Sequence, residues 1–198
     1  MDKQIDTREQ ILDAADARFR RFGFGKTTMA EIAGDCDMSA ANLYRYFKNK
    51  AEIGAAIAQR CMSAQAELLR QVVRTDGLSA AEKISRFVIG IFNYNHDQLA
   101  NEPAMAELVQ LVTRQHKDEV RRHKIEVMRS LMAEIIAEGN RTGEFDVSDV
   151  VGTAQTVLMG TFAFHSPFLI MADLFDRDEL TQMAKNTAQL LVQGLAAR

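Results

Sequence analysis

Apolar residues recur along this chain at steps of three and four, and only short polar or glycine-bearing breaks interrupt them. Ile11, Leu12, Ala15, Phe19 and Phe22 form the first stripe, which predicts a helix opening at Thr7 and stopped by Gly23 and Gly25, with residues 1–6 a loose tail. Met29, Ile32, Ala33 and Cys36 fall at i, i+3, i+4 and i+7 on a second, short helix that Thr27 and Thr28 can cap. A break follows from Gly34 to Asp37. Ser39 then offers an N-cap oxygen for a third helix, whose Leu43 and Phe47 face inward. Helix, short turn and helix in that order form a helix-turn-helix pattern.

The rest of the chain keeps the helical period. One long helix is predicted to begin at Lys48-Asn49-Lys50 and run to about Arg74, with Ile53, Ile57, Cys61, Ala64 and Leu68 on one face, before Thr75-Asp76-Gly77 turns the chain. Ser79 and Glu82 make a capping box for a helix carrying Ile84, Phe87, Val88, Ile91 and Phe92. Near Asn101-Glu102-Pro103 it gives way to another, with proline in its first turn and Met105, Leu108, Val109, Leu111 and Val112 inside. From His116 a solvated face of Lys117, Arg121, Lys124 and Glu126 lies opposite Val120, Ile125, Met128, Leu131, Met132 and Ile135. That predicts one long helix to about Glu138, then a loop from Gly139 to Gly143. The last two helices, about 148–165 and 177–195, are parted at Ser166-Pro167.

Composition narrows the class. With two prolines and eleven glycines in 198 residues there is little material for the turns of a many-stranded sheet, so an all-α fold of about nine helices is expected. Hydrophobic residues at 47% are enough to bury a core. The charged N-terminus MDKQIDTREQ has no apolar signal region and no later run is long enough to span a membrane, so a cytoplasmic location is expected. Cys36 and Cys61 lack the spacing of a disulfide framework or a CxxC motif and read as buried thiols. His116 and His123 stand seven apart with no ligands completing a tetrahedral set, and His96 and His165 stand alone. No nucleophile elbow, P-loop or dinucleotide fingerprint occurs, so no metal, cofactor or enzymatic activity is expected.

The third helix carries the chemistry. With Leu43 and Phe47 buried, Ala41 and Arg45 turn outward, with Asn42, Tyr44 and Lys48 beside them. Asn can bond adenine, Ala can touch a thymine methyl, and Tyr, Arg and Lys reach phosphates. Arg45, Lys48 and Lys50 lie between Met38 and Lys50 with no acid among them, although the whole chain has a net charge of −3. A charged, solvated surface helix fits the same residues. Arg18, Arg20 and Arg21 suit the negative end of the first helix as well as they suit phosphates, and are not counted as site residues.

From Thr7 to about Ile57 the chain resembles the DNA-binding region of the tetracycline-repressor (TetR) family of bacterial transcription regulators. The residues that carry this are Phe22-Gly23, Thr27-Thr28-Met29, Ile32-Ala33, Ser39, Leu43-Tyr44-Arg45-Tyr46-Phe47 and Lys50. The resemblance implies that Thr28, Tyr44, Tyr46 and Lys50 hold phosphates while Ser39, Ala40, Ala41 and Asn42 meet bases. With Thr27, Arg45 and Lys48 these make up the expected DNA-binding set. Asp37 stands where the family has Gly before the turn's hydrophobic residue; Asp is among the few side chains that tolerate the positive φ such a Gly serves. The two alanines supply no base hydrogen bonds, so sequence choice rests on Asn42, methyl contacts and DNA shape.

Ten methionines and eleven phenylalanines suit either a plain core or the walls of a cavity. The resemblance implies the cavity, for a small effector, with Phe87, Ile91, Tyr94, Asn95, Met105, Leu108, Val112, His116, Met128, Met132, Phe162 and His165 as candidate lining. It also implies a homodimer through a four-helix bundle of the last two long helices. The expectation is a DNA-binding domain over 1–50 and an effector and dimerisation domain over 51–198. The function that the resemblance implies is that of a repressor released from a palindromic duplex-DNA operator by a small hydrophobic molecule. The alternatives are an activator of the same fold, or a helical ligand-binding protein whose DNA binding is vestigial.

Overall fold

The computed structural model describes residues 2–100, 102–166, 170–172 and 174–197. The α-helices are α1 (Asp2–Phe22), α2 (Met29–Asp35), α3 (Ala40–Leu43), α4 (Lys50–Arg74), α5 (Ala80–Leu99), α6 (Ala106–Gln115), α7 (Lys117–Arg121), α8 (Met128–Thr142), α9 (Val150–Gly160), α10 (Phe162–His165) and α11 (Arg177–Leu195). A 3₁₀ turn (Pro103–Met105) leads into α6, and a π-turn (Arg122–Val127) joins α7 to α8. The all-α expectation holds. The only extended pairing among the described residues is an isolated bridge between Phe145 and Ala196.

Two compact units form, Met1–Met62 with Glu102–Lys117 and Ser63–Asn101 with Asp118–Arg198. The first buries Ile11, Ala15, Phe19, Ile32, Leu43, Phe47, Ile53 and Ile57, inward positions that the periodicity marks, whereas Phe22 at the end of the first stripe is 45% exposed. In the second, Leu69, Ile84, Phe87, Ile91, Met132, Ile135 and Ile136 share one apolar cluster with Ala154 and Val157. A half-buried ion pair crosses its rim, where the ammonium of buried Lys83 donates to the Glu138 carboxylate at 2.7 Å.

Several boundaries differ from those the sequence predicts. The helix expected to open at Thr7 already runs from Asp2, so residues 2–6 are helical rather than a loose tail. The third helix is one short turn, and Tyr44 to Tyr46 continue it as tighter turns, with the Arg45 and Tyr46 N–H groups donating three residues back. The long helix expected to Glu138 is broken at His116 and again by the π-turn.

The loop expected from Gly139 is helical up to Thr142. The Phe145 ring lies where a Cβ at Gly139 would stand, so this glycine makes room for a ring inside a helix instead of ending one. The end comes at Gly143, whose φ of 79° closes α8 in the left-handed conformation. The helix expected over 148–165 is capped by Asp149 and divided at Thr161, whose buried hydroxyl donates to the Val157 carbonyl at 2.8 Å. The break at Pro167, the ring of Phe168, and the side chains of Val120, Arg121, His123, Lys124 and Ile125 lie outside the described residues.

Candidate nucleic-acid interface

The two threonines before α2 do different work. Thr27 is buried and its hydroxyl donates to the Gly23 carbonyl at 2.9 Å, which closes the loop after α1. Thr28 is exposed and caps α2 through a complete capping box with Glu31. Its hydroxyl and its main-chain N–H both donate to Glu31 Oε2 at 2.8 Å. These bonds hold the Glu31 carboxyl below the usual carboxylate range, and Arg18 adds to the effect.

The turn behind α2 is held by Asp37 at φ 52°, the only non-glycine residue with a positive φ among those described. The Met38 N–H then donates to the Ala33 carbonyl at 3.0 Å, and Ser39 Oγ accepts from the Asn42 N–H at 3.2 Å, which starts α3. Leu43 and Phe47 are buried as their spacing predicts. Ala41, Tyr44, Arg45 and Lys48 face solvent, while Ala40, Asn42 and Tyr46 are half-buried. The Asn42 amide lies 3.9 Å from the Met38 sulfur. Arg8 braces this segment from α1: it donates to the Tyr46 carbonyl at 3.1 Å and stacks 4.1 Å over the Phe47 ring. Its role has no signal in the sequence, because it depends on how α1 packs.

Lys50, expected at a phosphate, points into the protein. Its ammonium donates to the carbonyls of Phe24, Gly25 at 3.2 Å and Thr27 at 2.7 Å. From α6, the Glu107 carboxylate accepts the Gly25 N–H at 2.8 Å, so the α1–α2 loop is held from both sides. Arg18, one turn before the end of α1, is bidentate to Asp35 at 2.5 and 2.8 Å and reaches Glu31 at 3.3 Å. The Asp35 carboxyl is held below its usual range by that hydrogen bonding.

The candidate effector residues fall in both units. Phe87, Ile91, Met128 and Met132 are buried in the core of the second. Tyr94 is half-buried there, and Phe162 is 50% exposed. Met105, Leu108 and Val112 are buried in the first unit, where His116 is half-buried. A polar chain crosses the second unit: buried Gln65 on α4 donates to Asn95 Oδ1 at 2.8 Å, and the Asn95 amide donates to the carbonyl of buried His165 at 3.1 Å. Gln65 escaped the sequence reading, although it stands one turn after Cys61 on an apolar stripe.

Residues 11–57 match the family described as bacterial regulatory proteins, tetR family, and residues 80–186 match the tetracyclin repressor-like C-terminal domain. The fatty acid metabolism regulator protein of Bacillus subtilis is 25% identical over 189 residues, covering 94% of each chain. A transcriptional regulator from Cytophaga hutchinsonii has the same fold, with a TM-score of 0.74 at 23% identity over 96% of this chain and 98% of its own. SmeT of Stenotrophomonas maltophilia in its triclosan complex follows at a TM-score of 0.67 and 18% identity, over 97% and 92%. A capped helix-turn-helix followed by a matching C-terminal domain over more than half of the sequence makes this chain a member of the TetR family of bacterial transcriptional regulators.

Proposed function

We propose that the protein is a homodimeric repressor, released from a palindromic operator when a small, largely hydrophobic effector enters its C-terminal part. The observation that carries the DNA half of this reading is the outward face of Ala41, Tyr44, Arg45 and Lys48 on a recognition segment fixed by the Ser39 cap and the Asp37 turn. Ser39, Ala40, Ala41 and Asn42 then read bases while Thr28, Tyr44, Arg45, Tyr46 and Lys48 meet phosphates. Thr27 and Lys50 act by shaping the loop that presents them. Functionally the chain divides near residue 50, and α4 belongs to both parts.

Dimerisation through α9, α10 and α11 is supported by their exposed Val151, Met159, Phe162, Met183 and Leu190. A twofold pair sets two heads one helical turn apart on a duplex. Phe162 then belongs to the subunit contact rather than to the pocket. For the effector, Phe87, Ile91, Met128 and Met132 supply apolar walls and the Gln65–Asn95–His165 chain a polar end. The names of the Bacillus fatty acid metabolism regulator and of the SmeT–triclosan complex support an apolar ligand. By linkage, an effector that fits better with the heads misplaced weakens DNA binding by the same coupling, about 1–3 kcal/mol.

The test is selection of duplexes from a random pool, followed by anisotropy titrations of the winner across salt and with medium-chain fatty acids and triclosan added. A salt-sensitive, sequence-selective complex that one of these dissolves is the expected result. Selective binding that every such ligand leaves intact or strengthens removes ligand release. A pool that returns no preferred duplex points to a ligand-binding protein with a vestigial head.

A further inference from the structure

Thr28, Glu31 and Asp35 stand at i, i+3 and i+7, so they form one stripe along α2. Thr28 at its head is the residue proposed to meet a phosphate, yet two carboxylates follow it on the same stripe, and Glu31 takes both the Thr28 hydroxyl and its main-chain N–H at 2.8 Å, so the hydroxyl must turn from Glu31 to reach a phosphate. Left to themselves, two negative charges beside a phosphate contact repel the polyanion that the contact serves. Arg18 changes that balance. Its Nε and Nη2 grip Asp35 and its Nη1 reaches Glu31 at 3.3 Å, so one guanidinium spans both acids.

We propose that Arg18 is a positioning residue for DNA binding, an internal counter-ion that neutralises Glu31 and Asp35 so that α2 can approach the phosphate backbone through Thr28. This rests on the DNA-binding reading above. Asp35 and Glu31 take three of the five Arg18 N–H donors, and its side chain is 19% exposed, so its proposed action is through these acids rather than as a phosphate contact. Its neighbours do not substitute for it: Arg20 pairs with Asp16 at 3.1 Å, and Arg21 lies 4.8 Å over the Phe22 ring. In this role, deleting the cation exposes the acids to DNA, whereas deleting an acid leaves a surplus cation. A strut that merely joins α1 to α2 behaves differently, since losing either partner breaks it.

Anisotropy titrations with a duplex selected by the wild-type protein separate the two, using R18Q, D35N and R18Q/D35N at low and high salt. R18Q is expected to weaken binding about two- to tenfold at low salt, with the deficit shrinking as salt screens the exposed carboxylates. D35N is expected to bind at least as tightly as the wild type, and R18Q/D35N to regain most of what R18Q loses. If D35N is as weak as R18Q, the double variant is no better, and the deficit persists at high salt, Arg18 is a strut and the proposal fails. Should circular dichroism show R18Q unfolded, D35N decides alone by the sign of its effect. A wild-type protein that selects no duplex overturns the DNA-binding reading itself, and this inference with it.

Discussion

Lys50 and Phe24 meet twice: the Lys50 ammonium lies 4.4 Å over the Phe24 ring and also donates to the Phe24 main-chain carbonyl. Two more carbonyls, of Gly25 and Thr27, complete its shell. An ammonium has three N–H donors, and here three main-chain acceptors of one loop converge on them. That loop sets where Thr28 starts α2.

Lys50→Ala should therefore act on the fold before it acts on DNA. Leaving partly buried carbonyls without their charged donor is expected to cost about 1–3 kcal/mol. Lys50→Arg should recover little, since a planar guanidinium cannot converge on three carbonyls as an ammonium does. Urea unfolding of the three proteins reads this. An unchanged midpoint for Lys50→Ala, with a salt slope lowered by about one phosphate contact, would return Lys50 to the phosphates.

Where capping chemistry and period agree, the sequence alone locates elements closely. α4 runs from Lys50 to Arg74 and α11 from Arg177 to Leu195, as the stripes predict, and α5 starts behind the Ser79–Glu82 box. The failures have another character. Gly139 resembles a helix breaker until the Phe145 ring is seen to need its missing Cβ. Lys50 and Arg18 show their charge in the sequence but not their partners, which lie 13 to 26 residues away and meet only through tertiary packing. The outward set on α3 and the turns that follow it needs only the burial of Leu43 and Phe47, and for that reason it was legible.

Asp37 holds a left-handed turn at φ 52° that L side chains enter at a cost. Asp37→Gly removes that cost but loosens the unfolded chain, leaving a net gain of about 0.5 kcal/mol, while Asp37→Ala loses about 1 kcal/mol. Thermal melts of the two variants should bracket the wild type. If Ala melts as high as Gly, the turn relaxes to a negative φ and stores no strain.

His96 gives stability a pH dependence of known sign. On α5 it is half-buried beside Phe92, with ring centroids 5.6 Å apart; burial and then the Arg177 cation push its pKa below the usual 6.5. Between the folded value and 6.5 the unfolded chain holds the extra proton, so stability falls as pH drops through that window and is fully present above it. Urea midpoints across the weakly acidic range should slope less steeply for His96→Gln than for the wild type. An identical slope would assign the dependence to other groups.

Leu190 on α11 is 69% exposed, and Met183, two turns earlier on the same stripe, is 41% exposed. Val151 and Met159 on α9 are more than half exposed as well. Leaving so many large apolar side chains in water forfeits roughly 1.5–3 kcal/mol for each that a partner could fully bury. If a second copy covers this face, a carboxylate at its centre is buried unpaired in the dimer yet solvated in the monomer, so Leu190→Glu should shift the equilibrium to monomer without unfolding the chain. Sedimentation equilibrium reads the mass, and anisotropy on the selected duplex reads the consequence. With one head in place of two, affinity is expected to drop by about a hundredfold or more, because the second head no longer binds intramolecularly. A Leu190→Glu protein that remains dimeric puts the subunit contact elsewhere, and a monomer that holds the duplex undiminished denies that two heads are needed.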